Sequence, residues 1–224
     1  MLTKNKKLII IGTGSNAKLA AFYFNRDTEY EVCAFCVDKE YMSINEFCSK
    51  PIEDIEKVTK NYPTEDFSAF IAVGYNKMNS TRERLYIKMK SYGYNLPNYI
   101  SPSCSFLTDE IIGDNNFILE DNTIQPFVKI GSNNVLWCGN HIGHDVRIHN
   151  HNFLTSHVVV SGFTQIMNNT FIGVNATLRD NILISDKTLI GAGAIIMKNT
   201  KKEEVYLAPN SIVYSKKSTE IIIS

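Results

Sequence analysis

The sequence predicts an α/β domain over residues 1–103, followed over residues 104–224 by a solenoid of short parallel β-strands that ends in a C-terminal tail. Two observations lead to this prediction. Near the N-terminus, two apolar segments with a helical segment between them form a βαβ pattern with a glycine-rich turn. From Ile112 onward, aliphatic residues recur at every sixth position. Because the two patterns do not overlap, we place the domain boundary near Ser103.

The composition is that of a globular protein with a substantial core. Of the 224 residues, 44% are hydrophobic, and 23 Lys and Arg residues balance 23 Asp and Glu residues. A chain without net charge has no bulk attraction for nucleic acid. Its apolar runs are far shorter than the roughly 20 residues of a membrane-spanning helix, and its basic start lacks the apolar core of a signal peptide. We therefore expect a cytoplasmic protein with neither a nucleic-acid nor a membrane partner.

The five cysteines are odd in number and irregularly spaced, which is not the pattern of a disulfide framework. Cys33 and Cys36 have the spacing of a redox motif, but they lie inside a predicted strand rather than at the start of a helix. We expect reduced thiols that pack in the core.

The elements of the α/β domain are predicted from its apolar segments and their boundaries. Strands are expected at residues 7–11, 30–37, 67–73 and 96–100. One helix follows the first strand and runs to Tyr23, and another spans residues 79–92 and stops at Gly93. The order of strand, glycine-rich turn, helix and strand makes the domain Rossmann-like.

The turn after the first strand is suited to phosphate. Gly12-x-Gly14-x-x-Ala17, with Asp38 after the second strand, superficially matches a dinucleotide fingerprint. About a hundred residues supply only half of the six-stranded fold that binds a whole dinucleotide. A nucleoside diphosphate needs only the N–H groups and the dipole at the start of the helix. An NAD-dependent oxidoreductase remains an alternative, although the sequence indicates no nicotinamide pocket.

The second domain has a period of six, which fits neither an α-helix, with about 3.6 residues per turn, nor an alternating strand, with a period of about 2. It indicates a triangular coil of three hexapeptides, in which one aliphatic side chain from each face points inward. At 18 residues per coil, fifteen repeats give five coils. The inward residues are Ile112, Ile118, Ile124, Ile130, Leu136, Ile142, Ile148, Leu154, Val160, Ile166, Ile172, Leu178, Ile184, Ile190 and Ile196.

Small or polar residues mark the corners of this coil. Glycine often follows the inward residue, and a small or polar residue usually lies four positions after it. Residues 18 apart stack on each other, so Asn116, Asn134 and Asn152 form one column. We expect their amides to bond from coil to coil as a ladder.

All five histidines lie within residues 141–157. None occupies an inward position, so all five are expected on the outer surface. Histidine suits a general base because its ordinary pKa lies nearest physiological pH. Two other uses stay open, namely a metal site formed by His149 and His151, and plain solvated surface residues.

Stacking distinguishes one histidine. The residue eighteen positions after His144 is Gly162, so the next coil carries no side chain above this imidazole. A thioester could approach the backbone there, and a peptide N–H could bind the oxyanion that develops in acyl transfer. Equally, Gly162 could only ease a turn. Residues 191–194, Gly-Ala-Gly-Ala, offer a second small surface, or two tight corners.

The chain resembles the hexapeptide-repeat acyltransferases over nearly its whole length. The resemblance is carried by the repeat and by residues 140–145, Asn-His-Ile-Gly-His-Asp, which look like the His-Asp or His-Glu site of nucleotide-sugar N-acetyltransferases and of sialic acid O-acetyltransferase relatives. These relatives also have a small nucleotide-binding domain before the solenoid. The resemblance implies a left-handed parallel β-helix, a homotrimer, acetyl-CoA as co-substrate and no metal.

The resemblance also implies roles for individual residues. His144 would remove a proton from the attacking group, and Asp145 would support its charge. Acetyl-CoA would lie against Gly162, Gly191, Ala192 and Gly193. The nucleotide sugar would contact Gly12, Gly14, Ser15, Asn16, Asp38, Gly74 and Asn76.

The sequence departs from the family at two places. The family often has His or Gly where Ser15 and Asn16 stand, which leaves the nucleotide open. A second histidine often found nine residues after the base is replaced by Phe153. Its contact with substrate would fall to His151 or His157.

The function expected from the sequence is acetyl-CoA-dependent N-acetylation of a UDP- or dTDP-linked 4-amino-4,6-dideoxyhexose for a bacterial surface glycan such as lipopolysaccharide. Two alternatives remain. One is O-acetylation of a sugar hydroxyl, as in sialic acid, or transfer of another acyl group. The other is a non-catalytic nucleotide-sugar-binding scaffold in which the solenoid only forms the oligomer.

Overall fold

The N-terminal part of the protein is an α/β structure built on one sheet. The computed structural model describes residues 3–110 and 112–221. Its strands here are β1 (Lys6–Ile11), β2 (Tyr30–Val37), β3 (Glu46–Phe47), β4 (Lys50–Asp54) and β5 (Phe67–Ile71). Its helices are α1 (Ser15–Asp27), α2 (Val58–Asn61) and α3 (Ser80–Ser91), with 3-10 turns at Lys39–Tyr41 and Ile55–Lys57 and, in the tail, at Ser218–Glu220. The sheet order is β3-β4-β2-β1-β5, and only the β3–β4 pair is antiparallel.

The predicted βαβ unit and second helix are present in this structure. Helix α1 continues four residues past Tyr23, to Asp27. The hairpin of β3 and β4 was not predicted, because two- and five-residue strands are too short to show a period. The strand expected at residues 96–100 is reduced to β6 (Tyr99–Ile100), and this strand pairs with the solenoid instead of the N-terminal sheet.

The rest of the described chain is a parallel β-helix of two-residue strands in three sheets. The first sheet contains β6, β8 (Phe117–Ile118), β11 (Val135–Leu136), β14 (Phe153–Leu154), β17 (Phe171–Ile172), β20 (Leu189–Ile190) and β22 (Val205–Tyr206). The second contains β7 (Ser105–Phe106), β9 (Thr123–Ile124), β12 (His141–Ile142), β15 (Val159–Val160), β18 (Thr177–Leu178) and β21 (Ile195–Ile196). The third contains β10 (Lys129–Ile130), β13 (Arg147–Ile148), β16 (Gln165–Ile166) and β19 (Leu183–Ile184).

The inward column is confirmed. From Ile118 to Ile196, every residue of the six-residue series lies in one buried core cluster, and Ile112 packs against that cluster while partly exposed. Strands pair at a spacing of eighteen residues, as in His141 with Val159, except at the last pair, where Leu189 lies opposite Val205. Burying one aliphatic side chain at each step stabilises each coil by roughly 1.5–3 kcal/mol per residue.

The corners share a left-handed backbone conformation at one position, which the period of six does not reveal. The residue three positions after each inward residue has a positive φ at every corner from Asn115 to Gly193. Asn, Asp and Gly tolerate this left-handed conformation best, and they fill most of these positions. Recurrence of Asn, Asp and Gly at this position is therefore the sequence signal for the turn.

The predicted asparagine ladder is confirmed. The N–H of Asn134 donates to Asn116 Oδ1 over 3.0 Å, and the N–H of Asn152 donates to Asn134 Oδ1 over 2.9 Å. The ladder extends one coil further in each direction, because Asn98 Oδ1 accepts from Asn116 and Asn152 Oδ1 accepts from Thr170.

The N-terminal domain docks on the first sheet of the solenoid. The outward side chains of this sheet are apolar: Tyr99, Phe117, Val135 and Phe153 are buried in the same core as α1 residues such as Phe24. Trp137 and Phe171 pack against that core as well. Several hydrogen bonds between the domains lie at the two corners that border this sheet, for example from Tyr23 to Glu120 and from Asn79 to Thr170. The division of the chain at Ser103 stays a prediction, and solenoid pairing already begins at β6.

Candidate active site

His144 lies on the corner between β12 and β13, with its imidazole against the next coil. A Cβ atom added at Gly162 would lie 3.0 Å from both Nε2 and Cε1 of His144. The predicted open column above this histidine is therefore present. The ring of Phe163 meets the imidazole edge to face, at 5.0 Å between centroids. The imidazole is enclosed on these sides, while about half of the side chain stays exposed.

Two contacts fix the orientation of His144. Its Nδ1 lies 3.0 Å from Asp145 Oδ2, and its backbone N–H donates to Gln125 Oε1 over 2.9 Å. A proton on Nδ1 that is shared with the carboxylate leaves Nε2 as the free base. The predicted pair of His144 and Asp145 is thus brought together with the geometry of a base and its orienting acid. Gln125 was not predicted, because a side chain that accepts from a backbone N–H has no sequence motif.

The backbone N–H of Gly162 is a free donor beside this imidazole. No residue in the described ranges 3–110 and 112–221 accepts a hydrogen bond from it. A Cβ atom added at Gly143 would lie 2.7 Å from this nitrogen. Gly143 therefore has to be glycine to leave the amide accessible, a role that its place after Ile142 did not reveal. Free amides of this kind bind oxyanions well because they need no reorganisation.

The other predicted acetyl-CoA residues are on a different corner. Gly191, Ala192 and Gly193 follow β20, between the first and second sheets, whereas His144 and Gly162 lie between the second and third. Gly193 has a φ of +69° and room for a side chain. Within one chain, the structure does not bring this Gly-Ala-Gly segment to His144.

A cleft of about 640 Å³ opens at the carboxyl ends of β1, β2 and β5. The residues predicted to bind the nucleotide sugar all line it: Gly12, Gly14, Ser15, Asn16, Asp38, Gly74 and Asn76. The first turn of α1 has no side-chain cap and no acidic residue, so its N–H groups are available to an anion. Tyr75, which the resemblance places with Gly74 and Asn76, also lines the cleft, and the structure adds Tyr41, Lys77, Thr81 and Leu85.

Charged groups surround this cleft unevenly. Arg84 of α3 forms an ion pair with Asp38, with 2.5 Å between Nη2 and Oδ2. This contact holds the carboxylate at the edge of the cleft, where a ribose hydroxyl could donate to it. Lys77, which also lines the cleft, adds an exposed cation.

The structure corrects the prediction that all five histidines are on the outer surface. His151 is covered by α3, with only 12% of its side chain exposed. Its Nδ1 lies 2.8 Å from Asn133 Nδ2, its Nε2 lies 3.9 Å from Glu83, and its ring packs on Tyr86. Burial lowers the pKa of His151, against the opposing effect of the Glu83 carboxylate. His151 is buried because the N-terminal domain docks on this part of the solenoid, and the period of six does not predict that docking.

Of the two histidines considered as a second substrate contact, His151 is therefore withdrawn from solvent. His157 is exposed and lies over Gly139 of the preceding coil, where an added Cβ atom would meet its ring at 2.6 Å.

The described residues contain no group of three or more His, Cys, Asp or Glu side chains placed to hold a metal ion. In the same part of the chain, no helix is long and apolar enough to cross a membrane. Cys36 is buried in β2, as expected of a packing residue, and burial raises the pKa of its thiol.

The cleft and His144 are on opposite sides of one chain. The N-terminal domain covers the first sheet, and His144 is on the corner where the other two sheets meet. Along the solenoid, however, the two sites have nearly the same height. Tyr75 of the cleft packs edge to face on Phe153 and at a tilt on Phe171, at 5.0 and 4.7 Å between centroids. Gly162 belongs to the coil that begins with Phe153.

Comparison with known proteins agrees with this architecture. Residues 7–89 match the family model of the PglD N-terminal domain. No curated protein sequence matches the chain. Among solved structures, the acetyltransferase domain of PglB from Neisseria gonorrhoeae FA1090 is 22% identical with a TM-score of 0.79, and the match covers 90% of this chain and 96% of that one.

Two further solved structures are similar over most of their length. PerB from Caulobacter crescentus, in complex with CoA and GDP-perosamine, is 21% identical with a TM-score of 0.77, over 89% of this chain and 92% of that one. WeeI from Acinetobacter baumannii AYE is 16% identical with a TM-score of 0.77, over 90% and 96%. The predicted fold, a Rossmann-like domain followed by a left-handed parallel β-helix of hexapeptide repeats, is confirmed.

Proposed function

We propose that the protein transfers the acetyl group of acetyl-CoA to the amino group of a nucleotide-linked amino sugar. The observation that carries this proposal is the pairing of His144 and Asp145 beside the free N–H of Gly162. The cleft on α1 supplies the site expected for the nucleotide diphosphate. The similar PerB was solved with CoA and GDP-perosamine, and the similar PglB domain with acetyl coenzyme A.

In the proposed reaction, the sugar amine attacks the thioester carbonyl carbon and forms the new C–N bond. Nε2 of His144 takes the proton that the amine loses, and Asp145 stabilises the imidazolium that results. The N–H of Gly162 donates to the oxyanion of the tetrahedral intermediate. The intermediate collapses by breaking the C–S bond, and CoA leaves as the thiolate, which can accept the proton from His144. General-base catalysis of this kind contributes about 10²- to 10⁴-fold in rate.

We further propose that the working unit is a homotrimer. One chain holds its nucleotide cleft on one side of the solenoid and His144 on the other, at heights that differ by about one coil, roughly 4.8 Å. Three parallel chains around a common axis would bring the His144 corner of one chain to the cleft side of its neighbour. The Gly191-Ala192-Gly193 corner would then face the neighbour's His144, and acetyl-CoA would lie between the two chains.

The acceptor is proposed to be a UDP-, dTDP- or GDP-linked amino sugar of the kind used in surface glycans. O-acetylation of a sugar hydroxyl is the alternative, because the same base and amide would serve an attacking hydroxyl. Thiol release from acetyl-CoA, measured against a panel of UDP-, dTDP- and GDP-4-amino-4,6-dideoxyhexoses and free sialic acid, tests the proposal. We expect release with at least one amino sugar, and release that is slower by about 10²- to 10⁴-fold with His144→Ala. Thiol release with sialic acid alone would favour O-acetylation. No release with any acceptor would contradict the enzymatic proposal and favour a non-catalytic nucleotide-sugar-binding scaffold.

The trimer has a separate test. Mixing His144→Ala protein with Gly14→Val protein, followed by subunit exchange and assay at a sugar concentration well below the raised KM of Gly14→Val, should restore part of the activity, because some interfaces then combine two intact half-sites. Activity that does not return, in mixtures shown by mass spectrometry to contain both variants, would place the complete site within one chain.

A further inference from the structure

The loop that forms one wall of the cleft has an unusual backbone. This loop, residues 74–79, which we call the cleft loop, joins β5 to α3. Lys77, Met78 and Asn79 are consecutive non-glycine residues with φ of +52°, +50° and +61°. Each left-handed residue costs roughly 1–2 kcal/mol relative to an ordinary conformation. Such a run persists only where its surroundings hold it.

Asn79 holds the end of this loop to the solenoid. It is the N-cap of α3, yet its side chain makes no capping bond to that helix. An N-cap asparagine ordinarily accepts a hydrogen bond from the first turn. Here the side chain is fully buried, and its Nδ2 donates over 2.8 Å to the carbonyl of Thr170 in the solenoid. The residue acts between domains instead of within its own helix.

Arg82 holds the beginning of the loop to the same part of the solenoid. Its Nη1 donates to the carbonyls of Ile71 and Val73, at 3.0 and 3.3 Å, where β5 leads into the loop. Its Nε donates over 3.1 Å to the carbonyl of Asn133 in the solenoid. The side chain is 1% exposed, and burial lowers its pKa to about 9. Burying a cation is costly, and a long apolar side chain would fill the space without that cost.

Three buried polar atoms at this interface have no partner among residues 3–110 and 112–221: Asn79 Oδ1, Arg82 Nη2 and Asn152 Nδ2. Asn79 and Asn152 belong to one neighbourhood, because Asn79 bonds to Thr170 and Thr170 bonds to Asn152 Oδ1. Two of the three atoms are donors and one is an acceptor. The interface is thus a polar cluster built around the two ends of the cleft loop.

The cleft loop presents several free backbone donors. No described residue accepts a hydrogen bond from the N–H groups of residues 74–78. Gly74, Tyr75, Asn76 and Lys77 line the cleft. The direction of these donors depends on the left-handed turn that follows them.

We propose that Asn79 and Arg82 are positioning residues for the nucleotide site, which hold the cleft loop in its left-handed form by clamping both of its ends to the solenoid. Nucleotide binding would then depend on the docking of the N-terminal domain, although neither residue touches the nucleotide. This inference rests on the proposed function, because it assumes a nucleoside diphosphate in the cleft.

The test uses isothermal titration of the full chain with UDP, GDP and dTDP. Asn79→Gly accepts the positive φ and removes only the anchor, whereas Asn79→Ala removes the anchor and keeps the strain. Arg82→Lys keeps the charge and loses most of the carbonyl bonds. We expect Asn79→Gly and Arg82→Lys to weaken the best nucleotide at least about fivefold, and Asn79→Ala to weaken it more, within the range typical of coupled sites.

Tyr86→Phe is the matched control. Tyr86 also lies on α3 and donates to Asp114 of the solenoid at 2.5 Å, but it has no bond to the cleft loop. It should lower the melting temperature and leave nucleotide affinity unchanged. A similar loss of affinity in Tyr86→Phe would mean that general loosening of the interface is responsible, and would overturn the specific role of the clamp.

Hydrogen exchange of the free protein gives a readout without ligand. The amides of Asn79, Ser80 and Glu83 donate to the carbonyls of Tyr75, Lys77 and Asn79, and they should exchange faster in Asn79→Ala and Arg82→Lys than in the wild type and in Tyr86→Phe. Unchanged exchange, with normal nucleotide binding by the wild type, would overturn the clamp alone. A wild-type protein that binds none of the three nucleotides would overturn the nucleotide part of the proposed function, and this inference with it.

Discussion

His144 and Gly162 are stacked across adjacent coils, so that the imidazole occupies the space in which a side chain of residue 162 would begin. No described residue accepts a hydrogen bond from the N–H of the same glycine. One missing Cβ atom therefore serves both the base and the oxyanion donor of the proposed reaction.

The contact predicts the effect of a single methyl group. In Gly162→Ala, the Cβ atom would lie 3.0 Å from Nε2 of His144, and the half-exposed imidazole would swing away into solvent. A displacement of about 1 Å at a reacting group can cost about 10² in rate, so kcat should fall by that order. The melting temperature should fall slightly, because the same Cβ atom would lie 3.2 Å from the backbone carbonyl oxygen of His144. Steady-state kinetics measures kcat, with Ser161→Ala as the control. A wild-type kcat in Gly162→Ala would show that the contact between His144 and Gly162 has no role in catalysis.

The base itself has a separate prediction. His144→Ala should lower kcat by about 10² to 10⁴ while the fold is retained, because its side chain is on the surface of a corner. Asp145→Asn should cost less, since Asp145 acts through Nδ1 of the imidazole. His149→Ala, on another corner, should be nearly silent. If His144→Ala keeps its turnover while another histidine variant is inactive, the assignment of the base is wrong.

The two glycines of the phosphate turn should respond differently to valine. A Cβ atom at Gly14 has nothing within 4 Å, so Gly14→Val should fold and only block the cleft. Loss of one charge-assisted hydrogen bond, about 1.5–3 kcal/mol, should raise the KM of the nucleotide sugar by about 10- to 100-fold. The KM of acetyl-CoA should not change. An unchanged KM for the nucleotide sugar in folded Gly14→Val protein would show that the cleft does not bind this substrate.

Gly12 is unsuitable for the same experiment. Its φ is +122°, and an added Cβ atom would lie 3.1 Å from the carbonyl oxygen of Ala72. Gly12→Val should therefore destabilise the domain, and a lower melting temperature measures this effect.

The burial of His151 should make the stability of the fold depend on pH. Burial lowers its pKa in the folded protein below the ordinary 6.5, so the unfolded chain binds the proton more readily. The free energy of unfolding therefore falls as pH decreases below about 6.5, until the folded pKa is passed. In His151→Asn, which also tolerates the φ of +62°, the melting temperature should fall less between pH 7.5 and 5.5. Parallel pH curves for the two proteins would contradict the buried state of His151.

The solenoid could be predicted from sequence because its register is local. Each inward residue fixes the direction of the five residues around it, so the column that contains His144 and Gly162 follows from counting alone. The Rossmann-like turn at Gly12 and Gly14 is equally local, because a short motif specifies its geometry. These are the parts that the structure reproduces.

The contacts between the domains could not be obtained in this way. Nothing in a period of six shows that the first sheet is covered, although Phe117, Phe153 and Phe171 recur on its outward face at multiples of eighteen residues. Burial of His151 and the use of Asn79 as an interdomain donor depend on that docking. Both involve residues that are distant in sequence, so a pattern within one segment cannot reveal them.

The asparagine ladder has a consequence for how the chain folds. Its first rung, Asn98, comes directly before the first solenoid strand, and it bonds to Asn116 over 2.7 Å and to the carbonyl of Gly113 over 2.7 Å. A coil in a solenoid contacts only its neighbours and is not stable alone. During synthesis, the N-terminal domain leaves the ribosome first and can fold as a unit. It then serves as a template on which the first coil forms without a separate nucleation step, and later coils add in the order of translation.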